Sequence, residues 1–190
     1  MRQVIAEDGI LATEARLQLA RALIESAPLE ALKVLKPLLD PKSSSPAKLD
    51  ALVLAAEAHR AMGGENHYRQ AVAIYDQVLA DPSLPYGFSN RFHSLRGQAY
   101  ELLQEPEKAL ASYLAVLHRE NLPENHREAE WEWFNDCGFN ALRLQEARER
   151  WKAAYKTAMR LASNPDNPRA QEALDRAEGI QLEHMIWEEQ

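Results

Sequence analysis

Cysteine is nearly missing from this chain: Cys137 is the only one among 190 residues. No intrachain disulfide can form, and a Cys-based zinc site lacks its partners. Positive charge is also short, with 22 Lys and Arg against 29 Asp and Glu, a net charge of −7. That balance, with no local basic run, opposes binding to nucleic-acid phosphates and docking on anionic membranes. Long apolar runs are absent. The longest, Ala51 to Ala56, is far below the roughly 20 residues of a membrane span. The first residues carry Glu7 and Asp8 where an export signal needs an apolar stretch. These features predict a cytoplasmic protein if the chain is complete. A cell-envelope location is the alternative if it is a piece of a longer exported chain. Motifs of catalysis are missing too: no Gly-rich phosphate loop, no serine elbow, no HExxH.

What remains is helix. Seven glycines and ten prolines punctuate stretches rich in Ala, Leu, Glu and Arg, in which apolar residues recur at three- and four-residue spacing. No Val/Ile/Thr-rich alternation suggests a strand. The pattern predicts an all-α chain of nine helices, near 11–26, 28–39, 46–62, 67–80, 87–103, 106–119, 124–142, 145–162 and 167–188. Pro28 and Pro106 stand where a first helical turn tolerates a missing N–H. Gly63-Gly64 ends a helix. Pro37 is expected to kink its helix or end it early.

A repeated element runs through these helices. Ala71-x-x-x-Tyr75, Ala109-x-x-x-Tyr113 and Ala147-x-x-x-Trp151 follow one another at steps of 38, with Ala31-x-x-x-Leu35 a further 40 residues upstream. A small residue one turn before a large one on the same face lets a neighbouring helix approach and fills the space beside it. A period of this length indicates stacked helical units.

These residues resemble the tetratricopeptide repeat family, whose helix–turn–helix units are about 34 residues long. The third unit reads Gly97-Gln98-Ala99-Tyr100 with Ala109, Tyr113 and Val116. The fourth reads Trp131-x-x-Phe134 with Ala147, Trp151 and Ala154. The second reads Ala56-Glu57-Ala58-His59 with Ala71, Tyr75 and Val78, and the first is degenerate, with Leu19, Ala31, Leu35 and Leu38. The longer period, Arg96 in place of Leu and Gly138 in place of Tyr depart from the family pattern, and a related helical-hairpin solenoid is the alternative. The resemblance implies a right-handed α-solenoid, one domain over 1–190, with four hairpins near 12–45, 46–84, 87–122 and 124–163. A capping helix over 167–188 would place Ala170, Leu174 and Ala177 on one stripe.

The resemblance also implies a concave groove lined by the first helix of each pair. Carried over by position, its residues are Glu57 and Arg60 with Val53, then Arg91, Gln98 and Glu101 with Ser94 and Leu102. Glu132, Asp136 and Asn140 with Phe139 complete it, and Arg16 contributes from the first unit. Four acids face three arginines on this list, and there is no lysine. The Lys, Arg and Asn cluster that chaperone-binding members use for a C-terminal carboxylate is therefore missing. An acidic peptide would meet unpaired carboxylates, so a neutral or basic segment of a partner protein is the expected occupant. The expected role is protein binding without catalysis, cofactor or metal. The alternative is a structural protein self-associating through its end cap and the apolar tail of Ile180, Leu182, Met185, Ile186 and Trp187.

Other residues read as structure. Cys137 is expected to pack as a small hydrophobe against the next helix rather than act as a nucleophile. His126 and Glu130, one turn apart, lack a third metal ligand. His59 and His93 are expected to pack between repeats. Trp131 and Trp133 point about 200° apart on a helix, which predicts one buried ring and leaves the other as packing or as an anchor for a partner.

Overall fold

The computed structural model describes residues 10–40, 47–82, 84–118, 127–163 and 166–186. Among them the chain is all-helical, with nine helices: α1 (Ile10–Leu23), α2 (Pro28–Leu35), α3 (Lys48–Met62), α4 (Glu65–Leu79), α5 (Tyr86–Leu102), α6 (Pro106–Leu117), α7 (Arg127–Glu146), α8 (Trp151–Ala162) and α9 (Ala170–His184). None is long and apolar enough to cross a membrane.

Helix ends follow local chemistry. Pro28 and Pro106 each occupy the first turn of a helix, where the missing N–H has no intrahelical partner to lose. Pro37 ends α2 early, at Leu35, because its ring excludes a regular helix through that turn. Gly63 and Gly64, with φ of 68° and 86°, separate α3 from α4 in a backbone region where a side chain would be strained.

The chain forms two compact units, residues 1–81 and 82–190. In the first, α1 packs on α2, α2 on α3 and α3 on α4, with α1 also against α3. Its core joins Leu17 and Ala20 of α1, Ala31 and Leu35 of α2, and Ala51, Leu54, Ala55 and Ala58 of α3. Ala71, Tyr75 and Val78 are buried along α4. In the second unit each helix from α5 to α9 packs on the next, and α5 also meets α7. Ala109, Tyr113 and Val116 of α6 are buried as their counterparts in α4 are, and they pack with Cys137, Ala141 and Leu144 of α7.

Two features of the second unit depend on missing side chains. A Cβ at Gly97 would collide with the Tyr113 ring, approaching Cζ to 2.7 Å, and a Cβ at Gly138 would strike Leu161 and come within 2.9 Å of Leu117. Gly138 therefore stands where a tyrosine cannot. Arg96, in place of the family's leucine, is accommodated differently. Its Nε donates to Ser112 Oγ at 3.1 Å and its Nη2 to His93 Nδ1 at 3.2 Å.

The third Ala-x-x-x-large element is displaced from its expected place. Ala147 lies exposed in the turn after α7, and Trp151 is the first residue of α8. The counterpart of Ala109 in α8 is the buried Ala154, 45 residues on, and one turn later the buried Ala158 stands where α6 has Tyr113. The turns before α6 and α8 establish this register. Gln104 and Glu149 both have positive φ, 57° and 56°. The N–H of Glu105 bonds Tyr100 O, and that of Arg150 bonds Gln145 O, both at 2.9 Å. The reason is Pro106, which follows Leu103-Gln104-Glu105 directly, so that α5 stops at Leu102 and those three residues form the turn. The matching Leu144-Gln145-Glu146 has no proline after it and completes α7 instead.

The capping stripe is likewise rotated: Ala173, Ala177 and Ile180 are buried in α9, while Ala170 and Leu174 are only half-buried.

Candidate functional site

Of the eight proposed groove residues, Glu57 and Arg60 lie half-buried on α3 of the first unit. The other six lie on α5 and α7 of the second, where Arg91, Gln98, Glu101, Asp136 and Asn140 are half-buried and Glu132 is exposed.

The α5 and α7 residues are joined to one another. Gln98 Nε2 donates to Ser94 Oγ at 3.4 Å, and Ser94 Oγ donates to Asp136 Oδ2 at 2.5 Å. Asn140 Nδ2 reaches Asp136 Oδ1 at 3.2 Å, and Arg143 Nη2 reaches Asn140 Oδ1 at 3.3 Å. Arg143 also grips both oxygens of Glu101, at 2.8 and 2.6 Å, and Glu101 accepts the Tyr113 hydroxyl at 2.7 Å. Burial, reinforced by that bond to Glu101, holds the Tyr113 phenol well above its ordinary range. The expectation that Glu101 and Asp136 present unpaired carboxylates is thus corrected: both are partnered across the α5–α7 contact. A stretch of the supposed groove lining is the polar seam between two helices.

The open part of the site lies beside this seam. A cavity of about 540 Å³ is lined by Gln98 of α5, by Trp131, Glu132, Trp133, Asn135 and Asp136 of α7, and by Pro168 and Arg169 at the entry to α9. Both tryptophans are half-buried and line it together, and Trp131 meets Phe134 edge-on with centroids 5.4 Å apart. Three of the eight proposed residues, Gln98, Glu132 and Asp136, are brought together here. The wall is fixed by Asn167, buried between helices, whose Nδ2 donates to Leu161 O at 2.8 Å. Its Oδ1 accepts Asn135 Nδ2 at 2.8 Å and the Arg169 backbone N–H at 3.0 Å. Arg169 stacks over Phe139 at 3.7 Å and forks onto Glu172 at 2.7 and 2.6 Å. No family model, curated protein or solved structure matches this chain.

Sequence reasoning missed Asn135, Arg143 and Arg169. Arg143 is the counterpart of Gln98 once the 45-residue register is used, and its partners are Glu101 and Asn140. Asn135 and Arg169 carried no sequence signal, because Asn167 and the α9 turn bring them together only in three dimensions.

The remaining candidates read as follows. Cys137 is fully buried and packs against the preceding helix, α6, rather than the next. Burial, with Asp136 adding to it, pushes its thiol up to about 12, far from a nucleophilic range. His59 faces His67 of α4, Nδ1 to Nδ1 at 3.2 Å. His126 and the Glu130 side chain lie outside the described residues, as does Trp187. In the tail Ile180 and Ile186 are buried, whereas Leu182 and Met185 are 76% and 72% exposed.

Proposed function

We propose that this chain is a protein-binding module without catalytic activity, built as a tetratricopeptide-like stack of helical hairpins. It takes a neutral or basic partner segment on the face of α5 and α7. The observation that carries this reading is the cavity in which Trp131 and Trp133 stand with Gln98, Glu132 and Asp136. Paired aromatic surface beside polar groups is the composition of interface anchors. Consecutive helix packing, with α1 against α3 and α5 against α7, is compatible with stacked hairpins. The unreactive environment of Cys137 argues against thiol chemistry.

Affinity capture compares wild type with Trp133→Ala and Glu132→Lys, using Lys156→Glu on α8 as a surface control. The reading expects a partner held by wild type and control and lost from both cavity variants. Equal capture by all four overturns it.

A second reading, self-association, is favoured by the exposure of Leu182 and Met185 at the end of α9. It expects a concentration-dependent mass in sedimentation that Leu182→Glu/Met185→Glu abolishes.

A further inference from the structure

The hydrogen-bond accounting of the α5–α7–α9 cavity specifies the chemistry of what enters it. Asn135 is 4% exposed, and it lines the cavity. Its Nδ2 is committed to Asn167, while its Oδ1 is buried and has no hydrogen-bond partner. An orphaned buried carbonyl oxygen costs about 1–3 kcal/mol unless a donor reaches it. Gln98 gives one amide N–H to Ser94, which leaves its carbonyl oxygen and its second N–H to face the cavity. Asp136 accepts from Ser94 and Asn140, and a carboxylate retains room for further donors. Glu132 adds a second, exposed carboxylate at the rim. Among the described residues of the wall the one cation is Arg169, which sits on Phe139 and is paired by its fork to Glu172. The described lining thus presents the Asp136 and Glu132 carboxylates and the Gln98 amide together with two indoles, with the unpartnered Asn135 Oδ1 buried behind them.

We propose that this cavity is a receptor for one positively charged side chain of a partner segment, arginine above lysine. A guanidinium is planar, so it stacks on indole, and its five N–H groups can serve separated acceptors at once. A lysine ammonium has three N–H donors, but all on one nitrogen and with no planar face to stack. This inference rests on the partner-binding reading and narrows it to a cationic anchor.

The test titrates the whole protein with N-acetyl-arginine amide and with its neutral isostere, N-acetyl-citrulline amide. The readout is the indole N–H resonances, assigned by Trp131→Phe and Trp133→Phe. The arginine probe is expected to shift both indoles with a dissociation constant on the order of 1 mM. The citrulline probe should bind at least about tenfold more weakly, and Glu132→Gln, its fold checked by circular dichroism, should weaken the arginine probe several-fold. Equal shifts from both probes, or none from either, overturn the cationic anchor. If the probes behave alike while a partner is still captured by wild type and lost from Trp133→Ala, only the charge specificity fails. Arginine-probe binding with no partner captured would make this a small-cation site and overturn the segment as its occupant.

Discussion

Single atoms decide several contacts here. The Gly97 hydrogen is one: a methyl group would overlap the Tyr113 ring, which is itself fully buried and bonded to Glu101. Gly97→Ala is expected to cost about 1–3 kcal/mol by over-packing, read as a lower urea midpoint with unchanged slope. Cys137 is a second case. With its thiol pushed up to about 12 by burial, native protein at pH 8 should resist a maleimide reagent, and unfolded protein should react within minutes. Rapid labelling of the native state would show that α7 opens from α6. Sequence reasoning reached the inert thiol, since one buried Cys without a matched base is ordinary packing. It assigned the wrong neighbour because the direction of a side chain about its helix depends on packing.

At the scale of elements, two turns and one imidazole pair carry the arguments. The turn at Glu149 has a left-handed residue that is not glycine. Glu149→Gly is therefore expected to stabilise the second unit by about 0.5–1 kcal/mol, measured by urea unfolding. Between α3 and α4, His59 has its pKa lowered from 6.5, first by burial and then by His67. The folded state thus binds fewer protons than the unfolded chain in that range. The stability is complete above pH 6.5 and is lost as pH falls through the lower, folded pKa. Thermal unfolding should shift to lower temperature between pH 7.5 and 5.5, and His59→Gln should flatten that dependence. A dependence unchanged by His59→Gln would assign it elsewhere. The Ala and Tyr positions of α4 and α6 were legible at a step of 38 because in each helix a buried alanine stands one turn before a buried tyrosine. The α7–α8 register was not legible, because Leu-Gln-Glu occurs in both places and only the first is followed by a proline.

Over the whole molecule, the two compact units divide the reporters unevenly. All four tryptophans, Trp131, Trp133, Trp151 and Trp187, lie beyond residue 82. Tryptophan fluorescence therefore follows the second unit alone, while far-ultraviolet circular dichroism follows both. Urea unfolding is expected to give non-coincident transitions by the two probes. The His59 effect should appear in the dichroism and not in the fluorescence. Coincident curves would mean that the units unfold as one cooperative body.

The sequence alone determined that this chain is helical, where most helices begin and end, and that Ala71, Tyr75, Ala109 and Tyr113 are core. Those properties arise from local propensity, proline and glycine placement and apolar spacing, all written within a few turns of chain. Only the tertiary structure decided that Glu101 and Asp136 are tied to Arg143 and Ser94, and that Asn135, Trp133 and Arg169 share a cavity. Those are relations between residues 32 to 42 positions apart in sequence. A partner for a hydrogen bond is chosen by which faces meet, and the chain carries no local record of that meeting.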